Sequence, residues 1–463
     1  MKTKYLLSIA VILAGLGGGA GAQVIPNPIP ERVMGRMPGT PFVLPEAKST
    51  GPNLVEGREL WEPQGVALDT SLDPPAVYVA DTRNHRVLAW RDAQTFWNGA
   101  FADRVLGQRD LYSTNALTPT AAMPGGLTTP VSVAVDAQGR VFVLDAGNNR
   151  IVGFRSAFAE EAAGKVEVII GQSARLGRCA NQDVGANNTC VTAANSASAP
   201  TATKLRLSAS YLGGTLGSSL TMDGEGNLWV ADAGNHRVLR YGAEAVSGES
   251  NITAGGSISP VISADLVVGQ PDFTTATPNL GRLNTPANQL PDRVKKELVR
   301  FPAALTVDEG GNLYVADDLG RVLYYPAPVH DGQVAQRILG MVVVQPGDPA
   351  PNPVNELAFG TRLVNNIYSG GPRGLFSISG HLFVVDTYNS RIVYFDKPEN
   401  WAGEATLFSP RMMGVWGQDD LYSGLPNIHP FREPTARTFN NPSSAVFANN
   451  EVDRKSTRLN SSH

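Results

Sequence analysis

Five copies of one apolar strand–turn–strand segment, each with a strand before it and another after it, predict an all-β protein. The expected architecture is a six-bladed β-propeller of four-stranded antiparallel blades, with the sixth blade cut short. Composition points the same way. The 463 residues include 48 glycines and 33 prolines, and long helix-forming runs are scarce, a balance that favours short strands joined by turns.

The central segment of each copy reads VYVADTRNHRVLAW from Val77, VFVLDAGNNRIVGF from Val141, LWVADAGNHRVLRY from Leu228, LYVADDLGRVLYY from Leu313 and LFVVDTYNSRIVYF from Leu382. Each is an apolar strand ending in Asp, a short polar turn, then Arg and a second apolar-aromatic strand, which is a strand–turn–strand signature. A first strand precedes each copy: GVALD at Gly65, SVAVD at Ser132, SLTMD at Ser219, ALTVD at Ala304 and GLFSIS at Gly374. Glycine-bearing turns such as DAQGR at Asp136 supply the positive φ that a tight hairpin needs. A fourth strand follows: RVLGQ at Arg104, VIIGQ at Val168, LVVGQ at Leu266, RILGM at Arg337 and GVWGQ at Gly414.

The repeat Asp residues (Asp81, Asp145, Asp232, Asp317, Asp386) stand further apart than the about 40–45 residues of a bare blade. The surplus lies in Pro-, Asn-, Ser- and Thr-rich stretches such as Ser173 to Thr203 and Pro271 to Leu298. Those are expected surface loops, where binding usually resides. A sixth unit begins at Asn441-Pro442-Ser443 with SAVFANNEV, a first strand and the start of a turn.

The D-x-x-N-H-R-V core at Asp81 and Asp232 resembles the NHL repeat, named for its Asn-His-Leu core. The likeness runs from about residue 60 to 450, and with its Gly-Gln strand the chain is similar to secreted bacterial NHL-repeat proteins. The fourth copy departs from the pattern, with Gly320 at the Asn-His step and Met341 in place of Gln. The resemblance implies a propeller scaffold and a recognition role. More distantly it extends to six-bladed metal-dependent lactonases and an amidating lyase.

Most recurring polar residues read as scaffold. The Asp residues, with Asn84, Asn148, Asn235 and Asn389, suit tight turns fixed by side-chain to backbone bonds. One Arg per blade (Arg86, Arg150, Arg237, Arg321, Arg391) is placed to pair with a blade Asp or a neighbouring carbonyl; a ring of guanidinium groups binding an anion is the other reading. His85 and His236 share a repeat position on different blades, near the blade periphery, which does not suit a convergent metal site. The Gly-Gln pairs at Gly107-Gln108, Gly171-Gln172, Gly269-Gln270 and Gly417-Gln418 suit a bulge and a tie to the adjoining loop. The first-strand carboxylates Asp69, Asp136, Asp223 and Asp308 reach one end of the channel. They are the candidates for a hard cation such as calcium, set against a local role at the hairpin turns.

The ends divide the chain. Residues 1–22 read as a signal peptide: Lys2 and Lys4, an apolar core from Tyr5 to Leu16, and Ala20-Gly21-Ala22 at the cleavage point. Residues 23–59 form an N-terminal segment in which Pro41-Phe42-Val43-Leu44 is a candidate ring-closing strand. The propeller occupies 60–452, and 453–463 (DRKSTRLNSSH) reads as a non-native, adaptor-like tail. Export to a bacterial periplasm or beyond accords with a disulfide between Cys179 and Cys190, two free thiols being the alternative. After cleavage no transmembrane segment is expected.

The formal net charge of −4 leaves no broad basic surface for nucleic acid. The first strands carry no His, and His330, His381 and His429 are assigned to loops or turns. No G-x-S-x-G elbow or phosphate-cradling loop is present. These features favour a monomeric binding platform for a protein, peptide or polysaccharide, without a cofactor. The alternative is a calcium-type, lactonase- or lyase-like enzyme.

Overall fold

A computed structural model describes residues 8–14, 55–93, 99–120, 122–182, 190, 198–207, 209–211, 214–216, 218–248, 250–253, 257–280, 292–343, 354–364, 367–425, 439 and 441–449. Five four-stranded antiparallel sheets follow one another along the chain. Blade 1 comprises Gly65–Asp69, Ala76–Asp81, Arg86–Trp90 and Arg104–Leu106; blade 2 comprises Pro130–Val135, Val141–Asp145, Arg150–Phe154 and Val166–Ile170. Blade 3 is built from Leu220–Met222, Leu228–Asp232, Arg237–Tyr241 and Leu266–Val268. Blade 4 uses Ala304–Val307, Leu313–Asp317, Arg321–Tyr325 and Arg337–Leu339, and blade 5 uses Gly374–Ile378, His381–Asp386, Arg391–Phe395 and Met412–Trp416. His381 therefore opens a strand, against the loop assignment, because the hairpin Ser379-Gly380 is tight enough to pair His381 with Ile378.

Both faces of every blade are buried, and strand periodicity explains how. In blade 2, Val133, Val141, Val143, Val152 and Ile169 pack against Ala67, Tyr78, Val87 and Ala89 of blade 1. The alternate residues Ala134, Phe142, Leu144, Ile151 and Val168 pack against Leu220, Val230, Leu239 and Tyr241 of blade 3. Successive side chains of a strand point to opposite faces, so a sheet between two neighbours carries apolar residues on both faces. The same packing joins blades 3 and 4 and blades 4 and 5.

The inner strands touch in sequence around a channel, and the ring is completed by Pro442–Asn449, which lies between the inner strands of blades 5 and 1. Val446 joins the apolar face of blade 1, formed by Val66, Leu68, Val77, Val79 and Trp90. Ala445 joins that of blade 5, where Phe383 stacks between Phe376 and Trp416. Ser443 Oγ donates to Pro63 O at 3.1 Å across this junction. Where six blades were expected, the described residues form five complete blades, with the single strand Pro442–Asn449 in the sixth inner position.

Small residues make the ring possible. Gly65, Ser132, Ser219, Ala304, Gly374 and Ser444 hold the same place in the six inner strands. A Cβ on Gly65 would lie 2.7 Å from Ser132 Cα, and one on Gly374 would lie 3.1 Å from Ser444 Cα. The strands approach too closely there for anything larger.

Ser8–Ala14, inside the segment read as the leader's apolar core, runs parallel to Pro442–Asn449 with Val11 opposite Val446. The candidate closing strand at 41–44 and the tail at 453–463 lie outside the described residues. Among the described residues no helix is long and apolar enough to cross a membrane.

Candidate functional site: the turn face and the channel mouth

Each inner strand starts at one face of the ring and ends at the other. The first face, here the turn face, carries the turns after the repeat Asp residues and the connections from one blade to the next. The opposite face carries the hairpins after the inner strands.

On the turn face every blade contains a buried Asp–Arg pair: Asp81–Arg86 at 2.8 Å, Asp145–Arg150 at 2.9 Å, Asp232–Arg237 at 2.8 Å, Asp317–Arg321 at 3.0 Å and Asp386–Arg391 at 2.8 Å. A buried ion pair is tolerable only when its remaining hydrogen-bonding capacity is filled, and here it is. Asp232 also accepts Asn235 Nδ2 and the backbone N–H of Arg206, both at 2.8 Å. Arg237 donates onward to the carbonyls of Phe273, Thr201 and Lys204. Arg86 reaches Leu111 O and Glu59 O, and Arg391 reaches Leu421 O, Asn355 O and Ala358 O. In blades 1, 2, 3 and 5 the guanidinium thereby ties the loop entering its blade to the loop leaving it, whereas Arg321 bonds three carbonyls of the entering loop, those of Arg293, Lys295 and Leu298.

The glutamine of each Gly-Gln pair completes the clamp. Gln108 Nε2 donates to His85 O and Asn115 O, Gln172 Nε2 to Asn149 O and Cys179 O, Gln270 Nε2 to His236 O and Thr277 O, and Gln418 Nε2 to Ser390 O and Leu425 O. One primary amide bridges two carbonyls that belong to the turn and to the outgoing loop. The preceding glycines have φ between 78° and 91°, and a Cβ on Gly269 would lie 2.6 Å from Val299 Cγ2. Blade 4, with Met341, uses Arg293 instead, which donates to Leu319 O and Gly320 O.

Asp110, Asp272 and Asp420, two residues after the glutamines, passed unnoticed in the sequence. Each accepts the backbone N–H two residues further on, at Tyr112, Thr274 and Tyr422, at 2.8–2.9 Å. Hydroxyl donation from Ser113, Thr274 and Ser423, together with those backbone bonds, holds each carboxyl below its ordinary value. The readable signal was the recurrence of G-Q-x-D in blades 1, 3 and 5.

The turn residue after each Asn, in left-handed conformation at φ 49–55°, joins one blade to the next. His85 Nδ1 accepts from Thr129 N at 3.0 Å and His236 Nδ1 from Phe301 N at 3.1 Å. Asn149 Oδ1 accepts from Leu207 N at 3.0 Å and Ser390 Oγ from Asn441 N at 3.3 Å. These histidines therefore stand at blade junctions, not at the periphery, and each ring must be neutral to accept. Burial, with Arg206 and Arg300 nearby, pushes His236 down to about 4, and burial likewise lowers His85.

Blade 4 shows why its turn is shorter. The segment Gly370-Gly371 of the next connection crosses directly above it, where a Cβ on Gly371 would lie 2.8 Å from Gly320 Cα. Asp318 Oδ1 accepts Gly370 N at 2.6 Å in place of the missing side chain, and Asp318 Oδ2 pairs with Arg300 at 3.2 Å. Burial pushes the Asp318 carboxyl up to about 6, with Arg300 opposing.

The crossing segment belongs to an insertion. Leu127, Val299 and Phe439, each packed on a Gly of the Gly-Gln or Gly-Met step, lead almost directly into the next inner strand. Leu205 and Phe359 occupy the same place, but an extra hairpin intervenes before Ser219 and Gly374. Ala209–Tyr211 pairs with Gly214–Leu216, and Arg362–Val364 with Ile367–Ser369. Both hairpins precede inner strands, in connections on the turn face.

The channel encloses about 230 Å³, and its walls are inner-strand backbone with apolar side chains and the hydroxyl-bearing Ser132, Ser219, Thr221, Thr306 and Ser444. Its mouth is ringed by Gln64, Val131, Ser218, Ala303, Arg373 and Ser443. Arg373 is the charged residue among them.

The four first-strand carboxylates sit at the far end and are engaged in hairpin turns. Asp136 Oδ1 accepts Gln138 N and Arg140 N; Asp223 accepts Glu225 N, Asn227 N and Trp229 Nε1; Asp308 accepts Gly310 N, Asn312 N and Tyr314 Oη. Asp69 binds Ser71 and keeps one unpartnered buried oxygen. Calcium takes six to eight oxygens, and among the described residues no three His, Cys, Asp or Glu side chains are grouped to hold a metal. His381 Nε2 faces Asp396 at 3.3 Å on the far face, His330 lies in an exposed turn, and His429 lies outside the described residues. Cys179 and Cys190 form a disulfide within the connection leaving blade 2.

A closed array of four-stranded sheets around a channel defines a β-propeller. The model of the NHL repeat matches residues 127–154, the start of blade 2, and the other blades repeat its Asp–Arg bonding position by position. Blade 2 thus carries an NHL repeat within a β-propeller. No curated protein sequence matches it. Solved structures with some similarity include a streptogramin B lyase, at 12% identity over 73% of this chain and 69% of that one, TM-score 0.32. A nidogen/laminin complex aligns at 12% identity over 76% and 83%, TM-score 0.31. Virginiamycin B lyase from Staphylococcus aureus aligns at 11% over 72% and 81%, TM-score 0.31. Likeness at this level says nothing about activity.

Proposed function

We propose that this protein is an exported, six-position NHL propeller whose turn face is a binding platform for a peptide, protein or polysaccharide. One observation carries the reading: the recurring charged and amide side chains are buried inside the blades, where they clamp the loops of a single face. Loop ends held in this way lower the ordering cost of binding. The exposed Tyr112 and Tyr422, 70% and 56% accessible, stand in the repeated loops of blades 1 and 5, and aromatic residues are enriched at recognition surfaces. The enzymatic alternative asks for a poised base or metal, whereas the four candidate carboxylates are turn-forming. Export is supported by the leader-like start and by the disulfide.

The test is binding of the purified protein to arrays of defined peptides and polysaccharides. Tyr112→Ala with Tyr422→Ala, and shortening of either inserted hairpin, should abolish the signal and leave thermal unfolding unchanged. Signal that survives all three changes rejects the turn face as the platform.

A further inference from the structure

The mouth of the channel departs from sixfold equivalence at one position. Five of its ring residues are neutral (Gln64, Val131, Ser218, Ala303 and Ser443), while the sixth is the half-buried Arg373. Its backbone is fixed by Arg373 N donating to Val385 O at 3.2 Å. Among the described residues no ion pair engages its guanidinium. The acid that acts on it, Asp318, is already bonded to Arg300 and to Gly370 N. Arg373 lies four residues after the inserted hairpin that precedes blade 5, and a corresponding hairpin precedes the inner strand of blade 3. Below it the walls alternate apolar groups with the hydroxyls of Ser132, Thr221 and Thr306.

From this arrangement we infer that the channel mouth binds a carboxylate, paired with Arg373, whose short aliphatic substituent enters the channel. A guanidinium in a partly desolvated setting matches a carboxylate in two parallel hydrogen bonds. The space of about 230 Å³ is smaller than the roughly 300–1,000 Å³ of sites for drug-sized molecules, so the channel takes a small acid or the terminus of a longer chain. The carboxylate comes from a free short-chain acid or from a peptide C-terminus, and both place the same group on Arg373. This inference rests on the platform reading and names the ligand class of its centre.

Isothermal titration with butyrate, with acetyl-Gly-Ala-Val as the free acid, and with the same peptide as its amide tests it. The expected result is saturable binding of one or both acids and none of the amide; butyrate alone marks a small-acid site and the peptide alone a C-terminus site. Arg373→Gln should weaken binding at least about tenfold, whereas Arg373→Lys, which keeps the charge, should retain most of it. Should Arg373→Gln not fold, Arg373→Lys and the acid-versus-amide comparison still decide. No saturable binding of either acid up to about 10 mM, equal binding of the amide, or full affinity in Arg373→Gln overturns the inference. Array binding that depends on Tyr112 and Tyr422 would then leave the platform standing without this centre.

Discussion

Nδ1 of His236 accepts the backbone N–H of Phe301 at 3.1 Å, and the two residues belong to adjacent blades. The histidine of the repeat is thus a junction piece that works only while neutral. Asn149 performs the same task toward Leu207 with an amide oxygen, which shows what the position requires: a short acceptor on a left-handed turn.

Acid should therefore loosen this junction. His236 is lowered from 6.5 to about 4 by burial, so between those values the unfolded chain binds a proton that the native protein refuses. Stability is present above pH 6.5 and falls as pH drops toward 4, by about 3 kcal/mol for a shift of this size. Asp318, raised to about 6, acts in the opposite sense, since its native form binds protons more readily and favours folding at low pH. His236→Asn should remove the histidine contribution and leave stability at pH 7.5 within about 1 kcal/mol. Urea unfolding of both proteins from pH 4 to 7.5 measures the difference.

The buried pairs should be far more sensitive than exposed ones. Arg237→Ala leaves Asp232 buried without its guanidinium partner and takes a donor from three carbonyls, and should cost about 3–5 kcal/mol. Arg240→Ala, on the same strand, removes a pair whose side chains are 29% and 45% accessible and should cost less than about 1 kcal/mol. Equilibrium unfolding at pH 7.5 compares them.

How much of this was readable beforehand follows from which contacts are local. The Asp–x–x–Asn–x–Arg step closes on itself within one turn, so recurrence of its letters was enough to place it. Strands and their order followed from period-2 apolar patterns. What pattern could not reach were contacts between segments distant in sequence: the histidine junction from His236 to Phe301, the glutamine's bond to the turn carbonyl, and the crossing of Gly371 over Gly320. That last contact turns an apparent defect of the fourth repeat into an adaptation to the hairpin above it. Arg373, alone in its repeat position, had no periodic signal to reveal it.

The glutamine clamp predicts an asymmetric pair of substitutions. Gln270→Met should leave His236 O and Thr277 O without their donor and cost about 1–3 kcal/mol. Met341→Gln should bring no matching gain, because Arg293 already bonds Gly320 O at 3.1 Å. Thermal unfolding of the two variants beside the parent shows whether they differ.

Glycine at the end of the outer strand should be irreplaceable. Gly269→Ala combines φ of 78° with a contact of 2.6 Å to Val299, and should cost about 2 kcal/mol or more. Gly224→Ala, where nothing lies within 4 Å, should change stability by less than about 1 kcal/mol. Denaturant midpoints separate the two.

A crystal structure of the chain tests the ring itself. Electron density should show Pro442–Asn449 wedged between Gly65–Asp69 and Gly374–Ile378, with Ser443 Oγ on Pro63 O. Density that puts that strand elsewhere, or leaves the apolar faces of blades 1 and 5 turned away from each other, would contradict closure and every role assigned to the channel.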